Sequence, residues 1–163
     1  APSPAWAEQP RDRFEKMIAA GRSEEVVKGA RKWLEANLVD ERRERVRRLP
    51  YEAAYASLVA RPDIAAARAY RDSYPKSHRL DDAELLEANL SLYAADRIGT
   101  EAAYLDTMNR YSGTPAAAEA GARAEQAAFD EAARLDSGAS WGRFLEDYGK
   151  VLQPLGNIWF SIR

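Results

Sequence analysis

Ala67-Arg68-Ala69-Tyr70-Arg71-Asp72-Ser73-Tyr74 returns as Tyr104-Leu105-Asp106-Thr107-Met108-Asn109-Arg110-Tyr111 and again as Trp141-Gly142-Arg143-Phe144-Leu145-Glu146-Asp147-Tyr148. Each copy lies 37 residues after the one before it (111 − 74, 148 − 111). Outward from these stretches the same offset links Ile18, Tyr55, Leu92 and Phe129. It links Ala30 with Ala67, Tyr104 and Trp141, and Trp33 with Tyr70, Thr107 and Phe144. A further column runs through Leu58, Ala95 and Ala132, preceded by Gly21. The register holds without insertion or deletion, and several bulky columns on one period are hard to obtain by chance. A period of this size is the signature of tandem supersecondary units.

Each period reads as two helices. The long ones run over about Pro50 to Ala60, His78 to Arg97 and Pro115 to Leu135. The short ones run over about Ser23 to Asn37, Asp63 to Tyr74, Thr100 to Tyr111 and Ala139 to Tyr148. Ser23 followed by Glu24 and Glu25 suits a helix N-terminus and its dipole. Pro62-Asp63, Gly99-Thr100 and Ser137-Gly138 break the chain at equivalent points, and Pro115 suits a first helical turn. Apolar residues recur at three and four, as in Ala67, Tyr70, Tyr74 and Tyr104, Met108, Tyr111, which gives each helix one apolar face. One pair cannot bury such a face alone. The expected fold is therefore all-α, a right-handed α-solenoid of about four tandem helix pairs. Tyr74, Tyr111 and Tyr148 are expected to be mostly buried at equivalent junctions. Phe129 and Trp141 are expected in the core, each costing roughly 3–5 kcal/mol on truncation to alanine.

Composition supports this reading. Of 163 residues 46% are hydrophobic, but alanine dominates, and with Glu, Arg and Leu it forms a helix-favouring mixture. Valine and isoleucine are too sparse for several buried strands. A net charge of −2 supplies no global field for nucleic acid or an anionic membrane. No run approaches the ~20 apolar residues of a membrane span. With no cysteine, the chain has no disulfide, no thiol nucleophile and no thiolate ligand, and it suits reducing and oxidising compartments alike.

Tyr74-Pro75-Lys76-Ser77, followed by Ala83, resembles the repeat junction of tetratricopeptide-like proteins of the bacterial envelope. Outer-membrane assembly lipoproteins and the coordinators of the Tol-Pal system carry such Tyr-Pro-x-Ser junctions. Tyr111-Ser112-Gly113-Thr114-Pro115 with Ala120 is similar to a weaker copy. The resemblance spans Phe14 to Tyr148, with a period of 37 in place of the family's 34. Tyr104 and Trp141 stand where small residues are the rule. The resemblance implies a scaffold that binds a protein or peptide partner, without cofactor, metal or catalysis. It also implies an inner groove formed by the first helix of each pair. Polar groove positions carried across by the register are Glu15, Glu52, Asn89 and Gln126, then Tyr93 and Asp130, then Arg97 and Arg134. Partner-binding residues are thus expected at Glu52, Asn89, Tyr93, Arg97, Gln126, Asp130 and Arg134, with Tyr93 an aromatic anchor.

Other candidates are weaker. Arg42, Arg43, Arg45, Arg47 and Arg48 make a basic patch that could dock an acidic protein, a phosphate-rich polymer or lipid head groups. No aromatic residue interleaves with them, which argues against a nucleic-acid channel. His78 is the only histidine, and it reads as a surface residue at a helix start. Asp81, Asp82, Glu84 and Glu87 read as a solvated helix face, lacking the glycine-containing loop of a hard-metal site.

Residues 1–9 resemble the end of a secretory signal peptide, with Ala5-x-Ala7 as the small-residue cleavage site, or else a flexible leader. The repeat domain is expected over 10–149. Residues 150–163, with apolar Leu155 to Ile162, would form a cap, a docking patch or the start of a further unit. The functional expectation is a non-catalytic scaffold of the bacterial envelope, periplasmic or otherwise exported. The alternatives are a superhelical accessory domain of a larger peptidoglycan-acting enzyme and an arginine-mediated polyanion binder.

Overall fold

A computed structural model describes residues 10–37 and 43–149, and these form eight helices. They are α1 (Pro10–Ala19), α2 (Ser23–Ala36), α3 (Arg43–Ala60), α4 (Ile64–Ser73), α5 (Leu80–Ile98), α6 (Glu101–Arg110), α7 (Pro115–Leu135) and α8 (Gly138–Tyr148). Among the described residues there is no strand, and helices pack mostly against their neighbours in sequence. No helix of the described residues is long and apolar enough to cross a membrane.

The period is written into the helix ends. Asp63, Thr100 and Ser137, 37 apart, are the N-caps of α4, α6 and α8. Each is extended, and each side-chain oxygen accepts from backbone N–H groups of the first turn: Ala65 and Ala66, Ala103, and Ser140. That satisfies donors a helix start leaves unpaired. At the other end Asn37, Tyr74 and Tyr111 are C-caps, donating backbone N–H to the carbonyls of Trp33, Tyr70 and Thr107. The long helices close alike: Gly99 follows α5 and Asp136 follows α7, 37 apart and both left-handed, with φ of +71° and +41°.

Several sequence expectations need correction. Helix α3 begins at Arg43, so Pro50 lies inside it rather than at its start. The arginine-rich run that precedes Pro50 consists of good helix formers and continues the helix upstream. Helix α5 starts at Leu80, two residues after His78, because Ser77 to Arg79 are held in a turn by the Ser77 hydroxyl, which accepts from Arg79 N–H. Ser23 opens α2 without capping it. Its hydroxyl reaches Ala53 O at 2.9 Å and Ser57 at 2.6 Å, tying α2 to α3.

By contact the chain divides into two compact units, Ala1–Leu90 and Ser91–Arg163, the division falling inside α5. Among the described residues the first unit holds two cores. Phe14, Val26, Ala30, Val46, Leu49 and Ala53 join α1, α2 and α3, and Gly29 is needed there because any Cβ would meet the Phe14 ring at 2.7 Å. Leu58, Ala67, Tyr70 and Ala83 make the second. In the second unit Ala95, Tyr104, Ala120 and Ala124 form one core, and Ala128, Ala132 and Phe144 another. In two columns the last three members are buried, Leu58, Ala95 and Ala132, and Tyr70, Thr107 and Phe144, while Trp33 at the head of the second is half-buried. Of the junction tyrosines Tyr111 is buried, whereas Tyr74 and Tyr148 are half-buried. Phe129 is not in the core. It is 44% exposed, and Trp141 is only half-buried, because no later helix covers that side of α7 and α8 among the described residues.

Candidate functional site

In the first unit the predicted groove column and part of the basic patch meet. A cleft of about 520 Å³ lies where α1 and α3, the first helices of successive pairs, run side by side. Glu15, Ile18 and Ala19 line it from α1, and Arg45, Arg48, Leu49 and Glu52 from α3. Both predicted acidic positions therefore face one space, which two arginines also line. Arg48 also approaches Glu44 at 3.7 Å.

Glu52 is not a free surface carboxylate. It accepts from His78 Nε2 at 2.5 Å and from Arg79 at 3.1 and 3.2 Å. Arg79 also donates to Asp82 at 2.9 Å and lies over the Tyr55 ring, 5.5 Å from its centroid. Partial burial penalises the Glu52 carboxylate, but the hydrogen bonds from His78 and Arg79 together outweigh it and hold its pKa below the usual glutamate range. A carboxyl depressed in the folded state stabilises above its unfolded pKa of about 4.3, and that contribution is lost as pH falls through the folded value. Glu52→Gln is therefore expected to lower Tm near neutral pH and to lose that deficit when both proteins are melted in acid. A deficit that does not change with pH would show that the Glu52 charge contributes nothing.

The rest of the basic patch is divided. Arg42 lies outside the described residues. Arg43 serves the fold: its guanidinium donates to Leu34 O and to Asn37 O (2.7 Å to the latter), satisfying carbonyls at the end of α2. Arg47 pairs with Glu44 at 3.3 Å. A second cleft of about 420 Å³ places Arg31, Arg43 and Arg47 around Leu34, Pro50, Tyr51 and Tyr74. Tyr51 and Tyr74 meet edge to face there at 5.9 Å. Asn89 is exposed on α5.

In the second unit Gln126, Asp130 and Arg134 line one cleft of about 630 Å³, together with Thr100, Glu101, Tyr104, Arg123 and Arg143. Gln126 donates to Asp130 at 2.8 Å, and Arg134 pairs with Glu131 at 2.7 Å. Glu101 receives Arg143 and the Tyr148 hydroxyl, the latter at 2.8 Å. Burial, then the Glu101 carboxylate, push the Tyr148 phenol up to about 12. Tyr93 and Arg97 do not line this cleft. They stand exposed on α5, Tyr93 at 66%, at the register positions of Asp130 and Arg134.

Glu87 overturns one expectation. Rather than belonging to a solvated face it is 2% exposed, gripped by Arg68 at 2.6 Å and Arg71 at 3.0 Å. Its column, Arg13, Pro50, Glu87 and Ala124, mixes charged and apolar residues, so the register alone does not mark Glu87 as buried. The junction network of Glu52, His78 and Arg79 was missed because its partners lie 26 and 27 residues apart, off the repeat period. Among the described residues no group of three His, Asp or Glu side chains is placed to hold a metal ion. Comparison of the chain with family models, with curated proteins and with solved structures finds no match.

Proposed function

We propose that this chain is a non-catalytic helical-repeat scaffold of the bacterial cell envelope that binds a protein or peptide segment. In this reading the pairs continue one another as a tetratricopeptide-like solenoid, and the partner runs along the first helices of successive pairs. The observation that carries it is the cleft between α1 and α3, where two groove positions chosen by repeat register, Glu15 and Glu52, face the same space beside Arg45 and Arg48. Carboxylates and guanidinium groups there offer acceptors and donors to a backbone or to side chains of either charge. In the second unit Gln126, Asp130 and Arg134 line a cleft of similar polarity, and Tyr93 presents an aromatic ring to solvent on α5. Envelope location rests on the resemblance of Tyr74-Pro75-Lys76-Ser77 to envelope repeat junctions and on Ala5-x-Ala7.

The test is capture of the partner from envelope extracts, its identification by mass spectrometry, and titration against variants whose melting curves are unchanged. An aromatic anchor is worth about 2 kcal/mol or more, so Tyr93→Ala should weaken binding by about thirtyfold. Arg45→Ala with Arg48→Ala should weaken it less. Unaltered affinity in both would remove the partner from these faces and overturn the proposal.

A further inference from the structure

Helix α3 carries its arginines to two sides. A helix turns about 100° per residue, so residues three or four apart share a face. Arg45 and Arg48 line the cleft beside α1, whereas Arg43 and Arg47 line the cleft of about 420 Å³ against α2 and the end of α4. Arg31 of α2 joins them there. The cleft beside α1 balances its two arginines with Glu15 and Glu52, but this one sets three arginines against Glu35. Their charges are poorly compensated. Arg43 directs its donors to neutral backbone carbonyls, Leu34 O and Asn37 O, and so keeps its positive charge. Arg47 meets Glu44 at 3.3 Å, but the side chains are 58% and 63% exposed, where such a pair is worth little. Arg31 is exposed, and no carboxylate of the described residues is paired with it.

The rest of the lining is apolar or aromatic. Tyr51 and Tyr74 meet edge to face at 5.9 Å, with Leu34 and Pro50 in the same cleft, and all four are half-buried. An inorganic polyanion or a lipid head group would engage the arginines and leave these groups in water. A peptide with carboxylates on both sides of an aromatic residue uses both chemistries. Its carboxylates meet guanidinium groups in charge-assisted hydrogen bonds, and its ring covers the two tyrosines.

We propose that this cleft docks an acidic peptide segment of a partner protein, with carboxylates on Arg31 and Arg47 and an aromatic side chain against Tyr51 and Tyr74. It shares no lining residue with the cleft between α1 and α3, so it stands or falls independently of the function proposed for that cleft.

The probe is a fluorescein-labelled peptide, Asp-Glu-Asp-Phe-Glu-Asp-Glu, titrated with the full chain by fluorescence anisotropy at about 0.15 M salt, which screens charges beyond about 8 Å. Saturable binding with Kd below about 1 mM is the expected result. Arg31→Ala with Arg47→Ala should weaken it by about tenfold. Arg13→Ala with Arg61→Ala removes the same charge elsewhere and should leave it unchanged. All four arginines are exposed, so both variants should keep the melting curve of the parent. Alanine in place of the peptide's phenylalanine should weaken binding by about threefold or more. Absence of saturable binding to the parent chain overturns the proposal. So does equal loss in the two double variants, or loss in neither, because binding would then follow net charge or use another surface. An alanine peptide that binds as well, or inorganic triphosphate that competes as well as the peptide, overturns it too and assigns the arginines to a polyanion.

Discussion

Phe144→Ala is expected to cost the fold about 3–5 kcal/mol, the usual range for a buried aromatic truncated to alanine. Phe144 is 7% exposed and touches three other rings, Phe129, Trp141 and Tyr148, while Ala128 and Ala132 close the core behind it. Alanines on the neighbouring helix have no side-chain length with which to fill the space, so a cavity persists. The sequence alone assigned this cost to Phe129 and Trp141, but those rings are exposed and half-buried, and the largest loss moves to Phe144. Urea unfolding of the variant checks it. A loss under about 1 kcal/mol would mean that the ring cluster adds little to stability.

The second large effect is expected from removing both guanidinium groups around Glu87. Arg68→Ala with Arg71→Ala takes two cationic partners from a buried carboxylate, a change that costs about 3–5 kcal/mol in fully buried pairs and less here, where both arginines are partly exposed. Either single variant should cost less, because the remaining arginine still reaches the carboxylate. Adding Glu87→Met to the double variant should restore much of the loss, since an apolar group then occupies a position that is only 2% exposed. Thermal unfolding of the four proteins decides the matter. If the triple variant is no more stable than the double, the cost came from lost packing of the arginine stems and not from the weakened pairing of the Glu87 charge.

Helix existence and spacing were legible because they depend on residues close in sequence. The tyrosine columns, the breaks before Asp63, Thr100 and Ser137, and Pro115 in the first turn of α7 all act within one turn of themselves. Pro50 does not mark the start of α3, because the helix-forming run from Arg43 carries the helix through it. The burial of Phe129 was not legible, since it depends on whether another element covers α7 and α8. Of the candidate groove, the register brought Glu15 and Glu52 to one cleft, and Gln126, Asp130 and Arg134 to another. It could not show that Glu52 is bound to His78 and Arg79, because those partners belong to the turn between two pairs and obey no period.

The caps at Asp63, Thr100 and Ser137 also define how the chain can change length. Each joins a long helix to its short one in the same conformation, extended and hydrogen-bonded to the first turn ahead. Excising residues 63–99 would join Pro62 to Thr100, cap for cap, and every later column would keep its place. Inserting a single residue inside a helix would instead rotate everything beyond it by about 100°, carrying the buried column off its neighbour. The length of chain that can be gained or lost with every column kept in register is therefore 37 residues.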